Sequence, residues 1–277
     1  MTMFLRAAAT LLPRPRPGAL PTRTVTFTGQ ATVNEVAAYD AVCGFALTDR
    51  LPPTYPHILA FAESMRLMSA GDFPFPVVGL VHTANTITQY AEIPVAARLS
   101  FEMCVTDLRP HRRGRQFDLL TTASLDGVTV WRETSTYLRK EGGTGASVPS
   151  APQSDAAPQG DAAPEGDTQP LTGEPVAVWR IPSSTGTDYA RVSGDRNPIH
   201  TSWLGARAFG FPRPIAHGMW SLARVLAAVR PVAPFTVNAV FKAPIFLGGR
   251  VALRTAGSRA DLSSAKLHLT TEIAAPL

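Results

Sequence analysis

The chain has 277 residues, of which 45% are hydrophobic and 17% are charged, and its 26 Lys and Arg against 21 Asp and Glu give a net charge of +5. A chain of this length can bury two ordinary cores, since domains usually run to about 100–150 residues. The moderate, dispersed positive charge favours an acidic small molecule or partner over nucleic acid. Only two cysteines occur, Cys43 and Cys104, and neither has metal-ligand spacing. This disfavours a disulfide scaffold or a zinc site and fits a reducing cytoplasm.

The opening sequence, MTMFLRAAATLLPRPRPGALP, contains a short apolar run that is broken by Arg6 and followed by prolines and arginines. A membrane helix needs about 20 apolar residues, and no run in the chain reaches that length. The segment also lacks a convincing cleavage site for a signal peptide. We therefore predict an extended arm over the fold and no membrane span.

The first half combines one apolar helix with several strands. Apolar residues recur at three- and four-residue steps over residues 57–70, which predicts a helix. After Pro76 the pattern changes to four extended runs, GLVHTANTITQYAEI, RLSFEMCVTDLR, RQFDLLTTASL and VTVWRETSTYLR. The sequences HRRGR and Asp126-Gly127 separate the last three runs and predict hairpin turns.

Residues 141–175 are rich in Pro, Ala, Gly and Asp and have almost no large apolar side chain to bury. Such a composition predicts a disordered linker. The chain would then divide into an N-terminal domain over residues 1–140, the linker, and a C-terminal domain over residues 176–277.

The second half repeats the order of the first, with a helix predicted over residues 218–229 and then the runs TVNAVFKAPIF, GRVALRTAG and AKLHLTTEI. A helix this apolar must be wrapped by a sheet rather than lie on a surface. We therefore predict an α+β double hotdog, in which two antiparallel sheets each wrap around a central apolar helix. The match between YPHILAFAESM and IAHGMWSLARV places His57 opposite His217.

The most specific pattern of the chain lies between Tyr189 and Met219. It consists of YARVSGDRNPIH, residues 189–200, and GFPRPIAHGM, residues 210–219. This pattern resembles the signature of MaoC-type dehydratases, also called hydratase 2. The resemblance implies a lyase of fatty acid metabolism that interconverts trans-2-enoyl thioesters and (3R)-hydroxyacyl thioesters. It also implies a segment that overhangs the sheet and lines a substrate tunnel, and no metal, nucleotide or flavin.

The residue types suit that chemistry. Hydration of a conjugated double bond needs a base for water, an acid for carbon 2 and donors for the carbonyl oxygen. Asp195 and His200 stand five positions apart across an Asn-Pro turn, which could point both at one water, and the resemblance assigns them the proton transfers. Asn197 matches the family's supporting polar residue. Gly218 stands where the second helix begins, so its N–H is an unpaired amide, and the family places the oxyanion donor there.

The same residues have plainer interpretations. Asp195, Asn197 and Pro198 are also typical turn and cap residues, and His217 fits a residue that orients the turn as well as one that contacts substrate. The His at fixed spacing and the Gly at the helix start favour the catalytic interpretation. The first half has no such Asp and His before its helix, so we expect it to be catalytically silent.

A cluster of arginines, Arg112, Arg113 and Arg115, surrounds Gly114 at a predicted hairpin tip, and Lys242 is a second basic candidate. They could attract the phosphates of coenzyme A or the acidic surface of acyl carrier protein, or they could form a solvated turn. Coenzyme A or phosphopantetheine would be part of the substrate rather than a separate cofactor. The sequence leaves open a hotdog thioesterase, a non-catalytic acyl-binding subunit, and a homodimer of double hotdogs.

Overall fold

The fold is one antiparallel sheet that curves around two helices. The computed structural model describes residue 10, residues 16–141 and residues 169–276. Ten strands form one hydrogen-bonded sheet in the order β1-β3-β4-β5-β2-β7-β10-β9-β8-β6. They are β1 (Val25–Gly29), β2 (Leu80–Gln89), β3 (Leu99–His111), β4 (Gly114–Leu125), β5 (Val128–Lys140), β6 (Ala177–Arg180), β7 (Phe235–Phe241), β8 (Arg250–Ala256), β9 (Arg259–Ser263) and β10 (Leu267–Ala274).

Six described helices accompany the sheet. They are α1 (Val33–Cys43), α2 (Tyr55–Met68), α3 (Thr185–Ser193), α4 (Pro198–Thr201), α5 (Trp203–Ala208) and α6 (Gly218–Val229). The central helix of the second half, α6, begins and ends where the sequence predicts. The central helix of the first half begins two residues earlier than predicted, because Pro56 suits the first turn of a helix, where no N–H partner is needed. None of the described helices is long and apolar enough to cross a membrane.

The double hotdog prediction is confirmed, with one addition. Strands β1 to β5 surround α2 and strands β6 to β10 surround α6, but the two five-stranded halves are not separate sheets. Strand β2 pairs with β7 over Ala84–Gln89 and Phe235–Val240, which joins the halves edge to edge. Side chains on the inner face, such as Ile87 and Val237, are fully buried at this junction.

The sequence analysis misses the short helices that precede each central helix. Only three of the nine residues of α3 are apolar, and α3 packs against α1 through Tyr189 and Tyr39, whose ring centroids lie 6.1 Å apart. Each helix ends at a left-handed glycine, Gly44 with φ 81° and Gly194 with φ 77°. The two halves therefore repeat the same helix and turn, YDAVCG in α1 and YARVSG in α3.

The predicted linker and arm are covered only in part. Most of the linker, residues 142–168, and most of the arm lie outside the described residues. At the far end of the linker, the N–H of Leu171 donates to the Asp261 carboxylate over 2.8 Å and the Arg259 guanidinium donates to the Gln169 carbonyl over 2.7 Å. These contacts fix residues 169–171 to β9. The domain boundaries themselves remain a prediction.

The pairing of β2 with β7 predicts that the two halves depend on each other. If residues 1–155 and 156–277 are expressed as two chains, we expect them to copurify in equal amounts, because either half alone exposes an unpaired strand edge and apolar side chains. Each half expressed alone is expected to aggregate. Copurification and size-exclusion chromatography measure the outcome, and two soluble monomeric halves that do not associate would contradict the prediction.

Candidate active site

Asp195 is placed by a tight turn that follows α3. Gly194 takes the left-handed conformation that ends the helix, and the next residue turns back toward the sheet. The Asp195 Oδ1 accepts a hydrogen bond from the Asn197 N–H at 3.1 Å, and the Ser193 Oγ accepts one from the Asp195 N–H at 3.2 Å. The carboxylate is 30% exposed, so it can meet water or a ligand.

Asn197 caps the short helix α4. Its Oδ1 accepts a hydrogen bond from the Ile199 N–H at 3.3 Å, and Pro198 occupies the first turn. This is the capping role that asparagine commonly fills. A contact of Asn197 with water or substrate stays a prediction.

His200 lies on α4 and is 9% exposed. Its Nδ1 lies 2.8 Å from the carbonyl oxygen of Ile215 and donates to it, which leaves the Nε2 lone pair as a proton acceptor. The helix can carry His200 this deep because Gly186 of α3 has no side chain: a Cβ there would lie 1.9 Å from the His200 carbonyl oxygen. The close approach of α3 and α4 thus fixes the imidazole.

His217 joins the Asp195 turn to the start of α6. Its Nε2 donates to the backbone carbonyl of Asp195 at 3.1 Å, and its ring stacks on His200 with centroids 3.8 Å apart. The predicted orientation of the turn through a hydrogen bond from His217 is therefore present. Its Nδ1 is buried without a hydrogen-bond partner among the described residues. Direct contact of His217 with substrate stays a prediction.

Burial keeps both imidazoles neutral. It lowers the pKa of His200, and the nearby Asp195 carboxylate offsets this effect only in part. Burial, and after it the neighbouring His200, lower the pKa of His217 to about 3. Near neutral pH the site therefore combines one carboxylate with two uncharged rings, and His200 can accept a proton.

Gly218 is the first residue of α6, and the backbone N–H of a first helical residue has no acceptor within its helix. A Cβ at this position would lie 3.1 Å from the ring of Phe241, which is closer than side chains normally pack. Glycine therefore leaves the helix start open while Phe241 covers one side of it. The positive end of the helix dipole adds to the attraction for a developing negative charge.

Asp195, His200 and His217 could together hold one small polar species. One ligand atom from each lies within 4.8 Å of the others. A water molecule satisfies such a group by hydrogen bonds, and a metal ion would use the same atoms. The expected metal-free site stays a prediction.

The basic residues lie elsewhere in the fold. Arg112, Arg113 and Arg115 lie at the β3–β4 turn of the first half, and Lys242 follows β7 and is exposed. Arg115 pairs with Glu141 at 2.7 Å and stacks on the Phe75 ring at 4.7 Å. That ion pair already engages one of the three guanidinium groups, and substrate binding by this hairpin and by Lys242 stays a prediction.

The structure explains why the first half lacks this site. Gly44 and Gly194 end equivalent helices, and the residue that follows is Phe45 in the first half and Asp195 in the second. The first half therefore has an aromatic side chain where the second has the carboxylate.

The helix start differs as well. Leu51 donates its N–H to Ile93 as Ala216 donates to Ile245, each at 2.8 Å, so these positions are equivalent. From this shared bond the second half reaches its helix after two residues, at Gly218, whereas the first half passes through Pro52 and Pro53 and reaches its helix only at Tyr55. The predicted match of His57 with His217 is therefore wrong. Proline has no N–H, so Pro53 cannot donate to an oxyanion.

Sequence reasoning missed a polar cluster inside the first half. His57 Nδ1 lies 2.9 Å from the Glu133 carboxylate, and Asn85 donates to the same carboxylate at 2.7 Å. All three side chains are buried. The signal in the sequence is the position of Asn85 and Glu133 on the inward-facing side of their strands, where charged and amide side chains are rare unless paired.

The contact between Gly186 and His200 predicts a sensitive position. Gly186→Ala forces α3 and α4 apart, and we expect it to lower the free energy of unfolding by about 1–3 kcal/mol, as other overpacked cores show. Urea denaturation measures the effect. Gly71→Ala is the matched control, because a Cβ at Gly71 meets nothing within 4 Å. Equal stability of the two variants would contradict the prediction.

The lowered pKa of His217 predicts a dependence of stability on pH. The imidazole stays neutral in the folded protein down to about pH 3, whereas in the unfolded chain it takes up a proton below its ordinary pKa of 6.5. The contribution of His217 to the free energy of unfolding is therefore fully present above pH 6.5. It decreases as the pH falls, by about 2 kcal/mol at pH 5. We therefore expect His217→Gln to lose less stability than the wild type between pH 7 and pH 5. Urea unfolding at both pH values tests this, and parallel losses would contradict it.

Comparison with known proteins agrees with the geometry. The family model for the MaoC like domain matches residues 162–271. The 3-hydroxyacyl-thioester dehydratase X of Mycobacterium tuberculosis is 38% identical over 258 residues, which cover 91% of this chain and 87% of that protein. The peroxisomal enoyl-CoA hydratase 2 of Arabidopsis thaliana is 27% identical over 207 residues, 71% of this chain and 66% of that protein.

Solved structures agree too. The crystal structure of HtdX of Mycobacterium tuberculosis superposes with a TM-score of 0.77 and 32% identity. The match covers 92% of this chain and 100% of HtdX. A conserved hypothetical protein of the same organism, described as a double hotdog, superposes with a TM-score of 0.54 and 14% identity over 92% of this chain and 96% of its own, and it supports the fold alone. With 38% identity to a dehydratase over 91% of its length, this chain belongs to the MaoC-like dehydratase family.

Proposed function

We propose that this protein adds water to trans-2-enoyl thioesters and removes it from (3R)-hydroxyacyl thioesters in fatty acid metabolism. The observation that carries the proposal is the grouping of Asp195 and His200 around His217, the residue directly before the Gly218 N–H at the start of α6. A carboxylate and a neutral imidazole serve as proton acceptors, and a free helix N–H serves an oxyanion. Two relatives are named for the same reaction, as a 3-hydroxyacyl-thioester dehydratase and as an enoyl-CoA hydratase.

In the hydration direction, one water lies between Asp195 and His200. One of the pair takes a proton from the water while its oxygen bonds to carbon 3 of the enoyl group. The electron pair of the double bond moves toward the thioester, and the Gly218 N–H stabilises the charge on the carbonyl oxygen. The proton is then delivered to carbon 2, so that water is added across the double bond and both residues return to their starting states. Dehydration follows the same steps in reverse.

The hydrogen bonds around Asp195 and His200 favour these proton transfers. The hydrogen bond from His200 Nδ1 to Ile215 fixes the tautomer whose Nε2 accepts a proton. The bond from His217 to the Asp195 carbonyl holds the turn, so that the carboxylate does not move when it is protonated. Because a carboxylate and an imidazole can complete both proton transfers, we propose a reaction without metal or separate cofactor.

The acyl group would arrive as a thioester of coenzyme A or of acyl carrier protein, with the phosphopantetheine arm as part of the substrate. We propose that the β3–β4 hairpin with Arg112, Arg113 and Arg115, together with Lys242, attracts the phosphates of coenzyme A or an acidic carrier protein. We place the reaction in the cytoplasm, since both cysteines are free thiols.

We further propose that residues 1–140 form a non-catalytic hotdog, residues 141–175 a linker and residues 176–277 the catalytic hotdog. Two features support a silent first half: Phe45 replaces the carboxylate, and the Tyr55 N–H that begins α2 already donates to the Pro52 carbonyl. Such a half still completes the sheet and can house an acyl chain.

A double-mutant cycle tests the shared water. We expect Asp195→Asn and His200→Ala each to lower kcat by about a hundredfold to ten-thousandfold, the range for lost general acid–base catalysis. The double variant should lose little more than either single one, because one group cannot complete the transfers alone. The assay follows the loss of enoyl absorbance with trans-2-decenoyl-CoA, and melting temperatures control for folding.

Any of three outcomes would overturn the proposal. If Asp195→Asn keeps near wild-type turnover, or if the two losses multiply as independent effects, the pair does not share one water. If free thiol appears while the enoyl group persists, the protein is a thioesterase. A protein that binds acyl-CoA but turns over none of it would be a binding subunit.

A further inference from the structure

A polar group from the silent first half lies beside the proposed site. Strand β2 contains a bulge between His82 and Ala84, where Thr83 is the extra residue opposite β5. A bulge re-aims the side chains that precede it. It turns His82 to the same inner side as Asn85, which lies next to the buried pair of Glu133 and His57. The His82 and His57 ring centroids are 6.5 Å apart.

His82 is enclosed but not satisfied. Its ring stacks on Tyr137 with centroids 4.8 Å apart and meets Phe241 at 5.0 Å. Its Nε2 and the Oδ1 of Asn85 are buried without a hydrogen-bond partner among the described residues. An unpaired buried polar atom costs about 1–3 kcal/mol, so such atoms usually mark an absent partner.

The position of Phe241 links His82 to the reacting centre. The same ring that contacts His82 also covers Gly218, at 3.1 Å from where a Cβ would stand. Phe241, His82 and Tyr137 are all partly exposed, whereas the side of α6 behind Gly218 is buried. The Phe241 ring therefore connects the Gly218 N–H, where the thioester oxygen is proposed to lie, with His82.

Charge decides what His82 can bind. Burial, and then the neighbouring His57, lower the pKa of His82 to about 4, so its ring is neutral near pH 7. Glu133 already pairs with His57 and Asn85. A neutral ring does not compensate a carboxylate on the acyl chain, but it pairs with a hydroxyl, which both donates and accepts and so fits either tautomer.

From these contacts we propose that His82 forms the polar end of the acyl pocket and that the preferred substrates carry a hydroxyl on the acyl chain beyond carbon 3. The proposal rests on the proposed hydration of enoyl thioesters. The first half, though catalytically silent, would then set specificity, with the Glu133 cluster positioning the strand that presents His82.

The test compares acyl chains of one length. Wild-type protein is assayed with trans-2-decenoyl-CoA and with the same thioester bearing one hydroxyl at each carbon from C5 to C9. For at least one position we expect kcat/KM to exceed that of the plain chain by about three- to tenfold, as one net hydrogen bond allows. His82→Phe keeps a stacked ring and should abolish this preference while it leaves turnover of the plain chain near wild type or raises it. His82→Gln restores a polar end and should keep part of the preference.

Matched controls separate the outcomes. His111→Phe makes the same chemical change at the β3–β4 turn and should keep the wild-type preference. If His82→Phe does not fold, the wild-type and His82→Gln preferences decide. Turnover of the plain chain with no hydroxyl preference at any position overturns this inference alone, as does a preference that survives His82→Phe. Failure to turn over every thioester overturns the proposed function and this inference with it.

Discussion

The pairing of β2 with β7 is the contact on which the rest of the molecule depends. Each half alone would be a five-stranded sheet around one helix, with β2 or β7 as an exposed edge strand. Antiparallel hydrogen bonds between these two strands satisfy both edges and fuse the cores into one. They also bring Phe241 at the end of β7 next to His82 at the start of β2. A side chain of the first half thereby contacts the ring that covers Gly218 in the second half.

The two halves differ by few residues at the turn that we propose to be catalytic in the second half. Both end a short helix at a left-handed glycine and both hold the next segment through the same pair of backbone hydrogen bonds. One then continues with Asp195 and the other with Phe45. At the start of the central helix, the Gly218 N–H has no acceptor in its own helix, whereas the Tyr55 N–H donates to the Pro52 carbonyl at 2.8 Å. In the first half, Trp131 also donates to the Pro53 carbonyl at 2.8 Å.

Burial accounts for most of the electrostatics of both clusters. In the second half it holds His200 and His217 neutral, since the partly exposed Asp195 compensates them only weakly. In the first half burial also lowers the pKa of His57, but the Glu133 carboxylate in direct contact outweighs it and raises the pKa overall. His200 can therefore accept a proton at neutral pH, whereas contact between His57 and Glu133 favours the charged form of each.

The sequence by itself determined the fold class, both central helices and the identity of the motif residues. Hydrophobic periodicity is a local property, so both ends of α6 could be predicted from the sequence. The residue types of Asp195, His200 and Gly218 were enough to predict proton transfer and an oxyanion donor. Tertiary structure alone decided the joining of the two sheets, the position at which each central helix begins after the shared backbone bond, and the placement of His82 beside Phe241. These depend on contacts between residues far apart in the chain, and a strand pattern states which face is buried but not which strand lies beside it. A bulge of one residue turned His82 inward, and no alternation pattern in the sequence marks it.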